Sequence, residues 1–372
     1  MCMKKVCHVS SAHPQEDIRI FWKECISLSN SGYEVFLVTQ GDDQEKNGVR
    51  FIGLGSKPQK RLQRILFFTR KAYKKALEID ADLYHFHDPE LLPYALKMAK
   101  RGKKVIFDSH EFTASQISNG ARKYIPGPLQ TIVGKMYQNY ERKVTRKIDG
   151  VIIPCLQKGK DYFDGNYKRI AYVNNTPKLG DYAYIPDERR DENTTCYVGS
   201  ITVERGIINT IKASYKAGCK LKLIGNIDPE LLKSLKTMPE YEAVDYHGML
   251  SVKEFPKVIC NCTVGLCLLK NLGQYDEGDN LSTKIYEYMA MGIPMVVSNF
   301  RMNKLVVEGN ECGICVDPEN IDDIARAIKK ICLDKKLAEK FSYNGRLLAV
   351  EKYSWEVDER NLLQLYDSIL RN

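Results

Sequence analysis

The chain has 372 residues, a net charge of +9, and aromatic and charged fractions of 10% and 28%, which describe an ordinary soluble protein with length for two domains. No apolar run approaches the ~20 residues of a membrane-spanning helix. The charge favours an anionic ligand or surface, without deciding between a nucleotide sugar, a lipid headgroup and nucleic acid. The 12 cysteines are scattered without a disulfide framework, as a reducing compartment allows. Cys312-Gly313-Ile314-Cys315 has a metal-like spacing, but no second pair follows at a zinc-site distance, so zinc is not expected. Met1-Cys2-Met3-Lys4-Lys5 leads straight into a strand and is too brief for a signal peptide, so a cytoplasmic protein is expected.

In chain order, Lys5 to Val9 reads as a strand, Ser10 to Asp17 as a polar loop, Ile18 to Ser31 as a helix and Tyr33 to Val38 as a second strand. Strand, helix, strand at this spacing is a parallel βαβ unit. The loop after the first strand lies at the carboxyl end of the sheet, where open α/β sheets bind ligands. His13 and Arg19 are its candidate binding side chains, Arg19 facing a phosphate or acceptor, or pairing with Asp17.

Lys57 to Lys75 carries Lys57, Lys60, Arg61, Arg64, Arg70, Lys71, Lys74 and Lys75 and no acid. Leu62, Ile65, Leu66, Tyr73 and Leu77 share a helical face, with Phe67 and Phe68 beside them. Two readings stand: a surface helix with a solvated outer side, or a basic amphipathic helix resting on anionic lipid. Nucleic acid is the weakest partner, since the helix has no recognised binding motif. Asp80-Ala81-Asp82 offers a metal-binding Asp-x-Asp pattern, but it precedes a strand instead of following one, so no metal is expected.

Leu83 to His87 and Val105 to Asp108 are strands that open into Asp88-Pro89-Glu90 and Ser109-His110-Glu111-Phe112. Leu129 to Lys147 has helical spacing, and Val151 to Pro154 is another strand. The polar run Lys178 to Asn193, with two prolines and Arg189-Arg190, is the expected linker. The boundaries follow: residues 1–175 form a first domain, 176–193 a linker, 194–352 a second domain and 353–372 a closing helix capped by Ser354. Trp355, Leu362, Tyr366 and Ile369 give that helix one apolar face.

The second domain restarts the pattern. Cys196-Tyr197-Val198 is a strand, Gly199-Ser200 its turn, and Arg205-Gly206 opens a helix, echoing Cys7 to Ser11 in the first domain. Further on, Asp279-Asn280-Leu281-Ser282-Thr283-Lys284 is followed by Glu287, Gly292-Ile293-Pro294 and the apolar Met295-Val296-Val297. Ser282 or Thr283 can cap a helix there and Gly292 can end it. A helix start with free N–H groups and Lys284 is a natural phosphate seat. Glu287, one turn further, can accept from the vicinal hydroxyls of a ribose. The bland alternative is a capped helix with an exposed acid.

This last stretch resembles the donor-binding signature of retaining glycosyltransferases of the GT-B fold, family 4, also called glycosyl transferases group 1. The segments 10–21, 83–112 and 195–206 resemble one subgroup of the same family. The resemblance implies an α/β fold with two Rossmann-like domains facing a cleft and a terminal helix crossing back to the first. It implies that Glu287 binds the nucleotide's ribose and that Asp279, an Asp where Glu is usual, binds hydroxyls of the sugar. Asn280, Leu281, Ser282 and Thr283 line the same loop. The turn at Gly199 normally supplies two cations to the diphosphate; here Ser200 replaces the first and Arg205 is the second, which shifts weight to Lys284 or Lys270. His110 occupies the position of a histidine that lies against the donor sugar.

The implied activity is transfer of a sugar from a nucleoside-diphosphate sugar, UDP by default, to a glycan or lipid-linked acceptor, without metal or other cofactor. His110 and Asp279 are the expected catalytic residues. Two other readings are kept: a nucleotide-sugar epimerase on the same architecture, and a catalytically silent nucleotide-sugar-binding subunit.

Overall fold

The computed structural model describes residues 3–110, 112–118, 125–157, 159–185, 190–270 and 279–371. The chain divides into two compact units, 1–175 with 358–372, and 176–357. Residues 176–193, read from sequence as a linker, count with the second unit, and the division at the other end falls inside the terminal helix.

Unit 1 holds an eight-stranded sheet in the order β3-β4-β2-β1-β5-β6-β7-β8. Its strands are β1 (Lys5–Val9), β2 (Glu34–Thr39), β3 (Gln44–Lys46), β4 (Val49–Gly53), β5 (Leu83–Phe86), β6 (Lys104–Asp108), β7 (Gly150–Ile153) and β8 (Ile170–Tyr172). All neighbours pair in parallel except the β3–β4 edge. The central strands read as continuous buried runs because helices cover both faces.

Unit 2 repeats the plan in six strands, ordered β11-β10-β9-β12-β13-β14. They are β9 (Thr194–Val198), β10 (Lys220–Ile224), β11 (Val244–Tyr246), β12 (Val264–Cys267), β13 (Met295–Ser298) and β14 (Gly313–Val316), all parallel. Two Rossmann-like units in tandem match the expected fold class.

Two expected helices differ from the α-pattern. The segment after β1 begins as a π-helix, Ile20–Cys25, and becomes α only at Ile26–Asn30. Its bonds run Glu24 N–H to Arg19 O, five residues apart. A five-residue repeat puts Arg19 and Glu24 on one face, where an α-helix would splay them apart. The basic segment contains a second π turn, Arg64–Phe68, ahead of helix α1 (Thr69–Ile79). That extra residue rotates the N-terminal part, so the single apolar face expected over 57–75 is split. Phe68, Ala72, Tyr73 and Ala76 enter the core, whereas Leu62, Leu66 and Phe67 are 72%, 58% and 69% exposed.

Candidate active site

The carboxyl end of the unit 1 sheet gathers charge. Asp88 follows β5 and is buried; its Oδ2 accepts from Ser10 Oγ at 3.0 Å and from the Ser11 and Ala12 N–H groups. His13, in the same loop, sits between Asp17 (Nδ1 to Oδ2, 3.1 Å) and Asp88 (Nε2 to Oδ1, 3.5 Å). Its ring meets the edge of His110, 5.1 Å away. Burial opposes protonation of His13, but the Asp17 hydrogen bond and the charges of Asp88, Asp17 and Asp108 raise its pKa. For Asp17, burial acts upward; bonds from His13 and from the Ile20 and Arg19 N–H groups overcome it and hold its pKa at about 2.

A depressed carboxyl pKa stabilises the fold above the ordinary Asp value, and that contribution is lost as pH falls through about 2. Asp17→Asn is therefore expected to cost about 2 kcal/mol at pH 7 and less than half of that at pH 2.5. Thermal melts at both pH values check this; an equal loss at both would assign the effect to shape instead of charge.

Arg19 is not where the sequence reading put it. Its guanidinium is buried, donating to Asp108 from Nε and Nη2 at 3.1 Å each and to Val173 O from Nη1 at 3.0 Å, with Glu24 Oε1 3.1 Å from Nε. The guanidinium faces neither Asp17's carboxylate, which of Arg19 takes only the backbone N–H at 2.9 Å, nor an exposed surface. The cause is the π turn, which points it inward. Asp108, the last residue of β6, also faces His87 Nδ1 at 3.4 Å and His110 Nδ1 at 3.7 Å.

His8, His85 and His87 lie buried beside this pair. Among the described residues two groups bring metal-capable atoms within 4.8 Å: His8, Glu24, His85 and His87, and His87, Asp108 and His110. The first is a poor fit for a divalent ion. His8 Nδ1 and His87 Nε2 are 2.9 Å apart, a hydrogen bond that occupies one of the two lone pairs a metal would need. Arg19 adds a fixed cation beside Glu24. Asp80 and Asp82 are tied to Lys103 and Lys4.

In unit 2 the expected helix is α4, counted after α2 (Gly127–Thr145) and α3 (Ile207–Lys216); it spans Thr283–Met291. Ser282 occupies the N-cap position, but its side chain makes no cap hydrogen bond, so the hydroxyl capping read from sequence is not made. Gly292 ends the helix in the left-handed conformation, as expected. The carbonyls at that end are taken by Arg190, whose Nη2 donates to Gly292 O at 2.6 Å and Met291 O at 3.2 Å. Arg190 had read as linker; a lone arginine in a polar run carries no signal of five carbonyl partners. Its neighbour Arg189, Glu111, and the acidic stretch 271–278 lie outside the described residues.

Lys284 is buried, with Nζ 3.6 Å above the Tyr197 ring. A Cβ on Gly199 would stand 3.7 Å from that Nζ, so Lys284 lies against the turn that follows β9. Tyr197 holds the turn by donating to Ser200 O at 2.7 Å. Burial pushes the Tyr197 hydroxyl up, and nearby Arg205 opposes this. Arg205 and Lys284 thus converge on one tyrosine, with Ser200 exposed above it. Two glycines allow the approach: a Cβ on Gly225 would fall 1.8 Å from Gly199 O, and one on Gly206 1.9 Å from Leu268 O. Lys270 pairs instead with Glu319.

Glu287 is half-buried one turn along α4, with the Tyr182 hydroxyl donating to Oε1 at 3.3 Å. Asp279 pairs with Arg301, a partner 22 positions away that no local pattern announces. Asn280 Oδ1 accepts from the Leu281 N–H at 2.9 Å and from the Tyr286 hydroxyl. Leu281 is corrected: its side chain is core and its N–H is bonded, so it anchors the loop and does not face a ligand. Thr283 is exposed at the helix start.

Two families of known proteins match this chain in tandem. Residues 23–165 match Glycosyltransferase Family 4, and residues 184–348 match Glycosyl transferases group 1. Over its whole length the fold superposes on a sucrose-phosphate synthase from Thermosynechococcus elongatus, with a TM-score of 0.76, 17% identity and 99% of each chain covered.

The chain belongs to the glycosyltransferases of the GT-B fold.

Other likenesses of this GT-B chain agree. HepE of Anabaena, solved with UDP and glucose, superposes with a TM-score of 0.70 at 12% identity, covering 98% of this chain and 100% of that one. The alpha-D-kanosaminyltransferase of Streptomyces kanamyceticus is 28% identical over 188 residues, 48% of this chain and 46% of that protein. The capsular polysaccharide biosynthesis glycosyltransferase CapM of Staphylococcus aureus is 24% identical over 183 residues, 47% and 46% of the two. The match thus spans about half the length of these curated relatives.

Proposed function

We propose that this GT-B chain is a retaining glycosyltransferase. It moves a sugar from a nucleoside-diphosphate sugar, UDP by default, to a glycan or lipid-linked acceptor in cell-surface polysaccharide synthesis. The observation that carries the reading is the convergence of Lys284 and Arg205 on Tyr197 beneath the Gly199–Ser200 turn. Two cations beside an uncapped helix start suit a diphosphate, and they can hold the negative charge that develops as it leaves. Glu287 accepts the ribose hydroxyls, and Asp279, Asn280, Ser282 and Thr283 belong to the donor loop. In unit 1, His110 acts on the sugar and His13 on the acceptor side. The relatives' printed roles and the UDP bound by HepE support the substrate class.

No metal is assigned to the reaction. The experiment is a thermal-shift panel of nucleosides, their diphosphates and nucleotide sugars, run with and without EDTA. One diphosphate at a hundred times its dissociation constant adds about 2.7 kcal/mol of stability, independent of EDTA. Arg205→Ala and Lys284→Met are expected to erase that diphosphate-specific shift. Shifts that are equal for uridine and UDP, or that require magnesium, would sink the corresponding part of the proposal.

The basic segment of unit 1 is proposed to bring the enzyme to anionic lipid. No helix among the described residues is long and apolar enough to cross a membrane. Leu62, Leu66 and Phe67 stand exposed among Lys60, Arg61, Arg70, Lys71 and Lys74, which is how an interfacial helix is built and is more than solubility needs. Helix α2 adds an exposed stripe of Leu129, Ile132 and Met136. Each cation near such a surface contributes ~1 kcal/mol, screened by salt. Flotation with vesicles rich in phosphatidylglycerol is expected to capture the protein, and Leu62→Ser with Phe67→Ser to release it. Capture that ignores lipid charge, or that survives these changes, would leave a solvated surface helix.

A further inference from the structure

The buried polar chain behind His110 has a direction that its atoms determine. The terminal helix α5 (Trp355–Leu370) places the Tyr366 hydroxyl 2.8 Å from His85 Nδ1 and 3.1 Å from His8 Nε2. His8 Nδ1 lies 2.9 Å from His87 Nε2, and His87 Nδ1 3.4 Å from Asp108 Oδ2. The same oxygen faces His110 Nδ1 at 3.7 Å. His8, His85, His87, Asp108 and Tyr366 are all within 1% of full burial, and the buried His87 Nδ1 and His110 Nδ1 make no closer hydrogen bond among the described residues than these approaches to Asp108.

The assignment starts at Asp108. Burial works against its charge, but Arg19 and hydrogen bonds from His110 and His87 hold its pKa well below the ordinary range, so it is an ionised acceptor. An ionised carboxylate has no proton to give, so each ring nitrogen facing it must carry one. His87 then has its proton on Nδ1. Burial keeps His87 neutral, which leaves Nε2 bare, and the proton of the 2.9 Å bond belongs to His8 Nδ1. Burial also keeps His8 neutral; its Nε2 is bare and accepts from the Tyr366 hydroxyl. The Tyr366 oxygen in turn accepts from His85 Nδ1. Every link has one donor and one acceptor, and no other assignment satisfies all of them. Glu24, whose Oε2 lies 3.9 Å from a nitrogen of each of the three rings, is too distant to break the chain.

We propose that Asp108, fed by the one-way chain Tyr366–His8–His87, is a positioning residue that fixes His110 in the tautomer with its proton on Nδ1 and its Nε2 lone pair directed to accept a hydrogen bond from the donor sugar. The tautomer is a property of unit 1 alone; the role in turnover rests on the function proposed above. His110 is thereby an acceptor toward substrate and cannot donate a proton there in its neutral form. Tyr366, on the terminal helix, contributes to sugar transfer without touching the sugar.

The test reads the protons directly. Histidine-selective 15N labelling of the full chain, at pH 8 and without substrate, distinguishes Nδ1–H from Nε2–H rings by their two-bond couplings; single His→Gln variants assign the signals. Nδ1–H is expected at His8, His85, His87 and His110. An Nε2–H ring at His87 or His110, or zinc bound stoichiometrically by these imidazoles, overturns the proposal. Asp108→Asn is expected to move the His110 proton to Nε2 and to lower kcat by on the order of a hundred-fold, with nucleoside diphosphate affinity unchanged. Because that variant also leaves Arg19 without a carboxylate partner at that position, Tyr366→Phe, which keeps the ring, is the second probe. It is expected to lower kcat about 2- to 10-fold, for one lost hydrogen bond, with His8 still held as Nδ1–H by His87 Nε2. Unchanged kcat in both variants, with the tautomers as assigned, removes the positioning role. Full activity in both variants and in His110→Ala as well would instead remove His110 from the reaction.

Discussion

Glu287→Ala is expected to lower kcat/KM by roughly 30- to 1,000-fold, almost all of it as lost affinity for the nucleotide sugar. A carboxylate that accepts from two ribose hydroxyls contributes ~1.5–3 kcal/mol per bond before water competes, leaving 2–4 kcal/mol to lose. The ribose does not change during transfer, so the bonds serve ground state and transition state alike and their removal raises KM more than it lowers kcat. In the free protein Glu287 is already oriented by the Tyr182 hydroxyl, and Tyr182→Phe should reproduce a small part of the effect. Binding isotherms for UDP and steady-state kinetics measure the split. A variant that binds UDP normally but turns over slowly would place Glu287 at the sugar instead.

Arg19→Met should unfold unit 1 or come close to it. The guanidinium is the cation facing two fully buried acids, Asp108 and Glu24. Burial pushes Glu24 well above the ordinary carboxylate range, and the charge of Asp108 adds to this despite Arg19. One buried charge, that of Asp108, is therefore balanced by Arg19. Removing one partner of a buried pair costs about 3–5 kcal/mol, a large fraction of the stability of a typical domain. Urea unfolding followed by the tryptophan in unit 1, Trp22, measures it. A loss under about 1 kcal/mol would mean that Asp108 also takes up a proton when Arg19 is gone. Arg205→Ala, at a half-exposed position, is the control that should leave the midpoint alone.

The doubly wound sheets were legible because buried parallel strands are runs of Val, Ile and Leu between turn residues, and helix α4 because Gly292-Ile293-Pro294 stops it. The places of Glu287 and Lys284 on that helix follow from the same local signal. What stayed hidden was everything set by a five-residue helical repeat. An α-period reading sends Arg19 outward and puts Leu62 on the same face as Tyr73; the π turns at Ile20–Cys25 and Arg64–Phe68 undo both. Pairings across long sequence separations were hidden too. Nothing near Asp108 announces Arg19, nothing near Gly292 announces Arg190, and Tyr366 reads as one more apolar residue on an amphipathic face until His8 and His85 are beside it.

That terminal helix bears on the order in which the protein is made. Leu362, Leu365, Tyr366 and Ile369 are buried in unit 1, and a side chain on Gly150 would strike Ile369 Cδ1 at 3.0 Å. Domains generally fold as they leave the ribosome, the first ahead of the second. Here the first sheet emerges with a groove beside Gly150 and an incomplete histidine chain, while residues 358–372 are nearly two hundred residues behind. Unit 2, contiguous from 176 to 357, can close before unit 1 does. Tyr366, at the far end of the histidine chain from Asp108, thus arrives only after all of unit 2 has been made, and a chain cut short before it would hold a complete unit 2 and an unfinished unit 1.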